Sequence, residues 1–154
     1  MSLNKIEDKS VMRFFSGAID YVIICAFTFG YIMLFGKPNS EGGKSVTGVP
    51  ALIPMLFWFC WLVLSEVFFG TTFGHYVNGL KVVSMEGEKP SFSQSLRRRL
   101  SDVIEITWCF GLVAFLIIKN SQFHQRLGDI WAKTLVVDKH FASNAPNFEF
   151  EVTP

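Results

Sequence analysis

Two charged residues at the start of an apolar run raise the first chemical question. Arg13 stands at the beginning of the run that reaches Phe35, and Asp20 lies inside it. Positions 13 and 20 are two helical turns apart, which returns them to nearly the same helix face. A helical Arg side chain leans toward the amino terminus, away from Asp20, so each residue needs another partner. An ionisable group at the centre of a bilayer costs roughly 2.5–3.5 kcal/mol, so we expect a compensating contact or a function.

Further acids lie on the apolar elements that follow. Glu66 lies near the end of the second apolar run, and Asp102 and Glu105 are one turn apart on a third, charged element. If the first two runs are antiparallel helices, Asp20 and Glu66 lie at similar depth, and the other two approach from the same side. Carboxylates brought together in low dielectric hold a proton, recruit a basic residue or bind a cation. We therefore name Asp20, Glu66, Asp102 and Glu105 as a candidate cation or proton site.

The same charges have two other interpretations. In the first interpretation they form a buried network that fixes helix register, with Arg13, Arg98 and Arg126 neutralising the acids. In the second they form a docking site for a lipid headgroup or a protein. Asp129 follows Arg126 by three positions on a predicted helix, which favours a local ion pair.

A basic run precedes Asp102. Residues 97–99 (Arg97, Arg98 and Arg99) are most simply an anchor at the phosphate layer, with specific lipid recognition as the alternative.

Composition places the chain in the membrane class. The sequence has 17 Phe and 18% charged residues, against roughly 25% in soluble domains. A net charge of +1 does not indicate a nucleic-acid-binding protein. The sequence contains no P-loop, HExxH or GxSxG motif, so we expect neither an enzyme nor a bound cofactor. The three cysteines and three histidines are scattered, which predicts no metal site.

Hydropathy predicts two full transmembrane helices, at residues 14–35 and 51–70, joined by a flexible connector at 39–49. A helix over 92–107 carries the charged residues and belongs at the interface. The apolar piece after it, 108–118, is about half the usual spanning length, so this third element either crosses or re-enters the membrane.

Basic residues are concentrated before the first span and between residues 81 and 99, which predicts that both segments are cytoplasmic. A re-entrant or interfacial third element would keep the later basic residues on that side too. It would also let residues 79–83 pair with 134–137 as a two-stranded cytoplasmic ribbon. The predicted fold is therefore an all-α integral membrane protein with interfacial helices and this short ribbon. We divide it into a cytoplasmic segment (1–11), a transmembrane domain (12–138) and a flexible tail (139–154).

Three separated motifs resemble the RDD family of small membrane proteins. Arg13, Asp20 and Asp129 match the arginine and two aspartates for which the family is named. Residues 72–83, TFGHYVNGLKVV, are similar to its T-x-G-K-x-x-x-G-L-x-V stretch, and residues 125–137, QRLGDIWAKTLVV, continue the match. His75 stands where Lys is common, and Lys133 where a small residue is common. Arg126 joins the three signature residues in the predicted charge network.

The resemblance implies an all-helical membrane domain, with exchange of sodium or lithium for protons attributed to some members. We expect a multi-pass protein of the cell membrane, typical of the bacterial inner membrane, with a cytoplasmic amino terminus. Our leading hypothesis is transport or binding of Na⁺ or a proton through membrane-embedded carboxylates, in a homo-oligomer surrounded by lipid. The competing hypothesis is a non-transporting interaction or assembly module whose buried charges fix helix packing.

Overall fold

The computed structural model describes residues 9–109 and 125–140, with side chains for 9–102 and 125–140. Most of the predicted third apolar piece, the side chain of Glu105, and the ends of the chain at 1–8 and 141–154 lie outside the described residues.

The first helix, α1, runs from Ser10 to Phe35. It ends at Gly36, whose backbone is extended (φ −72°, ψ 141°) and whose N–H still donates to Ile32. Pro38 follows, and a proline cannot continue the helical hydrogen-bond ladder. At its other end, helix α1 begins at Ser10, four residues earlier than the predicted start at residue 14.

The connector after α1 differs from the prediction of a flexible loop. Strands β1 (Lys37–Pro38) and β2 (Lys44–Ser45) pair as a small antiparallel ribbon. The carboxamide oxygen of Asn39 accepts hydrogen bonds from the backbone N–H groups of Glu41 and Gly43, at 3.2 and 2.7 Å. An Asn side chain that replaces backbone contacts in this way fixes a turn, which composition alone does not indicate.

The second apolar helix is continuous but not uniform. After a 3₁₀ turn at Val49–Ala51, helix α2 (Leu52–Trp58) leads into a π-helical segment (Phe59–Leu64) and helix α3 (Ser65–Phe69). It ends at Gly70 in the left-handed conformation (φ 69°). The π-helical segment was not predicted, because hydropathy does not register a change in helical winding.

Both apolar helices are long enough to cross a membrane, Ser10–Phe35 with 26 residues and Val49–Phe69 with 21. Only 11% and 17% of their most apolar windows are buried inside the protein. The core helix of a soluble protein would be mostly buried, whereas Leu34 and Phe35 here are 79% and 65% exposed. Exposed apolar faces of this extent fit a lipid surround and support the predicted pair of spanning helices.

The remaining elements pack at the end of the spans that holds Arg13 and Glu66. They are α4 (Phe73–Val77), β3 (Leu80–Ser84), α5 (Phe92–Cys109), α6 (Leu127–Ala132) and β4 (Thr134–Asp138).

Strands β3 and β4 form the expected two-stranded ribbon. They are antiparallel, and Val82 lies opposite Val136. Gly79 (φ 67°) supplies the turn before β3. Leu80, Val82 and Val136 form a small apolar cluster on the ribbon. The side of the membrane on which the ribbon lies stays a prediction.

Candidate functional site

Asp129 is the best-connected acid of the polar end. It is the third residue of α6, and its carboxylate accepts from the backbone N–H of Arg126 at 3.0 Å, which closes a capping box at the helix start. The same carboxylate is hydrogen-bonded by the guanidinium groups of Arg13 from α1 and Arg98 from α5. Its side chain is fully buried. Asp129 therefore ties three helices together.

Glu66 holds the second span against α5. Arg98 Nε lies 2.6 Å from one carboxylate oxygen, and Arg99 Nη2 lies 2.7 Å from the other. All three side chains are at most 3% exposed. A carboxylate shared by two guanidinium groups in a dry interior is held in one geometry.

Asp102 closes a ring of ion pairs. Arg99 Nη1 donates to it at 2.9 Å, Arg126 Nη1 lies 3.1 Å away, and the Tyr21 hydroxyl donates at 3.4 Å. Arg126 Nε also lies 3.9 Å from Asp129. We call this set the charge ring, with Arg13 attached through Asp129. Its members are Arg13, Glu66, Arg98, Arg99, Asp102, Arg126 and Asp129.

The charge ring sets the ionisation of its own members. Burial by itself would raise the pKa of Asp129, but the nearby guanidinium groups of Arg98, Arg13 and Arg126 outweigh it and hold that pKa well below its usual range. Asp102 follows the same balance, with Arg126 and Arg99 lowering its pKa against the opposing effect of burial. Burial would lower the pKa of Arg99, but Glu66 and Asp102 raise it above its ordinary value. Asp102, Asp129 and Arg99 are therefore ionised throughout the physiological pH range.

Asp20 has a different environment. Its carboxylate accepts from the Thr72 hydroxyl at 2.5 Å, the Gly74 backbone N–H at 2.8 Å and Trp61 Nε1 at 3.3 Å. His75 Nδ1 lies 3.8 Å away. The Asp20 side chain is 2% exposed. We call Asp20, Trp61, Thr72, Gly74 and His75 the Asp20 cluster.

His75 stabilises this cluster as a neutral ring. Burial lowers the pKa of His75, and the opposing influence of the nearby Asp20 carboxylate does not restore it. The Thr72 hydroxyl has one hydrogen, which it donates to Asp20, so His75 Nδ1, at 2.7 Å from the Thr72 oxygen, donates to Thr72. Asp20 is thus surrounded by neutral donors.

Glycine at position 74 allows this contact. A Cβ there would lie 2.0 Å from the Ser16 carbonyl oxygen and 2.9 Å from the Asp20 carboxylate. Real atoms do not approach so closely, so only Gly lets the start of α4 meet α1 and place its N–H on Asp20. Thr72 also caps α4, accepting from the His75 N–H at 3.4 Å.

The structure separates the residues that the sequence grouped together. Arg13, Arg126 and Asp129 meet in the charge ring, whereas Asp20, the fourth member of the predicted network, lies in its own cluster. Of the candidate cation site, Glu66 and Asp102 are linked through Arg99, and Asp20 is held separately. Across residues 9–102 and 125–140 no group of three or more acidic, His or Cys side chains is arranged to hold a metal ion.

The predicted interface anchor needs a correction. Arg98 and Arg99 are 0% and 3% exposed and bind acids, while Arg97 is exposed. Arg98 and Arg99 bind buried carboxylates on α6, the second span and α5 itself instead of lipid phosphate. The run of three arginines in the sequence does not show that these carboxylates lie nearby in the fold.

Sequence reasoning also missed the donors to Asp20. Trp61 lies within an apolar run that gives no sign of a polar contact, and Thr72 and Gly74 are part of the family motif at residues 72–83. The Thr72-Phe73-Gly74 order was the available signal, since a hydroxyl residue ahead of a short helix predicts a cap.

These features define a class: a mostly helical protein with two membrane-length apolar helices and a buried ionic ring at one end of them. The chain belongs to the RDD family, whose profile residues 10–133 match. Family membership and the two apolar helices together indicate a membrane protein. No curated protein and no solved structure matches the chain significantly.

Proposed function

We propose that this protein carries or senses a proton or a small cation such as Na⁺ through Asp20. One observation supports the proposal. Of the four buried acids in the described part of the chain, Asp20 alone has no arginine contact. Glu66, Asp102 and Asp129 are each bound by at least two guanidinium groups, so loading a proton or cation on them would first require breaking strong ion pairs.

The chemistry of the Asp20 cluster fits an exchangeable charge. Neutral donors orient a carboxylate without cancelling its charge, so the buried anion still attracts a cation. Carboxylate and hydroxyl oxygens, here from Asp20 and Thr72, are the ligands that hard cations such as Na⁺ prefer. The charge ring provides a rigid support beside this site.

The proposal places the protein in a cell membrane, as a multi-pass protein of the bacterial inner-membrane type with a cytoplasmic amino terminus. The distribution of Lys and Arg supports this orientation, because basic residues cluster before α1 and between β3 and Asp102. Two described spans enclose little volume, so we propose a homo-oligomer in which neighbouring copies complete the pathway.

Flux measurements test this function. Purified protein in proteoliposomes should show proton movement that depends on a Na⁺ gradient, and Asp20→Asn should abolish it. Asp138→Asn is the matched control, because Asp138 forms a part-exposed pair with Lys9 on the ribbon, at 2.6 Å. Absence of flux in a folded wild-type protein would contradict the proposal.

A non-transporting assembly module is the second candidate, and the charge ring favours it. Four arginines and three acids fasten α1, the second span, α5 and α6 together. If this candidate is right, neither Asp20→Asn nor a cation gradient changes any flux, while substitutions in the ring still disrupt folding or self-association.

A further inference from the structure

A cavity of about 690 Å³ lies between the second apolar helix, α4 and the ribbon. Phe57, Trp61 and Phe69 contribute walls from the helix, and Phe73 and Tyr76 contribute walls from α4. Its size is within the range of about 300–1,000 Å³ that ligand pockets occupy. The charge ring does not line this cavity, and among the aromatic walls named here only Trp61 also belongs to the Asp20 cluster.

The cavity is apolar along its length and basic at one end. Phe57 and Phe69 are separated by roughly 18 Å along the helix, at about 1.5 Å per residue. At the ribbon end stand Lys81 on β3 and Lys139 just after β4, the two charged side chains among the described residues that line the cavity. Lys139 Nζ lies 4.8 Å from the centre of the Tyr76 ring.

The position of Lys81 depends on Gly70. A Cβ at Gly70 would lie 3.2 Å from Lys81 Cε, so the stem of the lysine passes close to the end of the second span. The left-handed backbone at Gly70 (φ 69°) also favours that residue. Lys81 therefore lies at the end of the second span and lines the cavity there.

We propose that this cavity binds one acyl chain of an anionic phospholipid of the surrounding membrane, with the lipid phosphate at Lys81 and Lys139. Phe57, Trp61 and Phe69 lie on a helix of spanning length, and the two lysines lie beyond its end, where the headgroups of a bilayer spanned by that helix begin. That order of apolar and cationic groups matches the order of parts in the lipid. A zwitterionic lipid gains less from two lysines, and a water-soluble anion leaves the aromatic wall uncovered.

The lipid site adjoins the Asp20 cluster but does not depend on its activity. Trp61 and Thr72, which donate to Asp20, also line the cavity. A bound acyl chain covers these donors from the lipid side and restricts access of water to Asp20.

Native mass spectrometry of the delipidated protein tests the site. Adding phosphatidylglycerol should give one retained lipid per chain, whereas phosphatidylcholine with the same acyl chains should bind about tenfold or more weakly, since each Lys contributes to anionic lipid binding. Lys81→Gln/Lys139→Gln should remove that preference. Lys37→Gln/Lys44→Gln removes two exposed lysines at the far end of α1 and should retain it. Equal binding of the two lipids, or a loss of preference only in the control, would overturn the proposal.

A labelling experiment leaves the lysines intact and so avoids any folding defect of their variants. Cys60 lines the cavity and is exposed. In a Cys25→Ser/Cys109→Ser background, phosphatidylglycerol should slow alkylation of Cys60 by N-ethylmaleimide several-fold more than phosphatidylcholine does. Protection by oleate but not by phosphatidylglycerol would assign the cavity to a free fatty acid and refute the phospholipid. No protection by either lipid would refute an acyl-chain site altogether.

Discussion

Arg13 and Asp129, 116 positions apart in the sequence, form a buried ion pair that fastens the start of α1 to the first turn of α6. Both residues match the signature that the sequence resembles. The third signature residue, Asp20, lies on the same helix as Arg13 but binds Thr72 and Gly74 instead. The three residues therefore lie in two separate structures, an ionic ring and a carboxylate held by neutral donors.

Asp129→Asn should destabilise the protein by about 3–5 kcal/mol, because it leaves the buried guanidinium groups of Arg13 and Arg98 without their shared anion. Unfolding in mixed detergent micelles measures the difference. Asp138→Asn, which breaks the part-exposed pair with Lys9, should cost less than about 1 kcal/mol. Equal effects of the two substitutions would show that burial of the ring contributes nothing.

Acid should weaken the charge ring. The pKa values of Asp102 and Asp129 are lowered in the folded protein, since their arginine partners outweigh burial, and an unfolded Asp has a pKa near 3.9. The unfolded state then takes up protons first, so this stabilisation is complete above about pH 5 and is lost as pH falls through the folded pKa values. The stability gap between wild type and Asp129→Asn should narrow between about pH 5 and pH 3. A constant gap contradicts the ionised ring.

His75 should produce a second pH dependence at a higher pH. Burial lowers its pKa in the folded state, whereas an unfolded His titrates near 6.5. Stability contributed by the neutral ring is present above about pH 6.5 and falls below it, by at most about 1.4 kcal/mol per pH unit. His75→Gln cannot titrate, so its unfolding free energy should stay nearly flat between about pH 7.5 and pH 5.5. An identical slope in both proteins would mean that His75 is not buried as a neutral ring.

Gly74→Ala should separate α4 from α1, since the added Cβ meets the Ser16 carbonyl at 2.0 Å. We expect a loss of about 3 kcal/mol, the upper part of the range for overpacking. Gly17→Ala is the control on α1, because a Cβ at Gly17 meets nothing within 4 Å. Its stability should stay unchanged or rise by up to about 1 kcal/mol from helix propensity. Equal tolerance of both substitutions would contradict the close approach at position 74.

The described spans and the ribbon could be predicted from local patterns. The apolar runs predicted at 14–35 and 51–70 correspond to helices at Ser10–Phe35 and Val49–Phe69. The β-branched residues around Val82 and Val136 predicted two strands, and these strands pair. Hydropathy and side-chain period are properties of neighbouring residues, so the sequence carries them directly.

The pairing of charges depended on tertiary structure. Low dielectric requires that each buried acid be compensated, but it does not say by which group. Glu66 and Arg99 are 33 positions apart, and Asp129 and Arg98 are 31 apart, so sequence separation gave no preference among the arginines. Because α5 and α6 pack against the spans, the other three buried acids contact arginines. Asp20 instead accepts hydrogen bonds from Thr72, Gly74 and Trp61. The sequence by itself determined that charges embedded in apolar helices need partners. Only the tertiary structure decided that Asp20 has neutral hydrogen-bond donors while the other three acids have arginines, because the pairing depends on distances between elements that are far apart in the sequence.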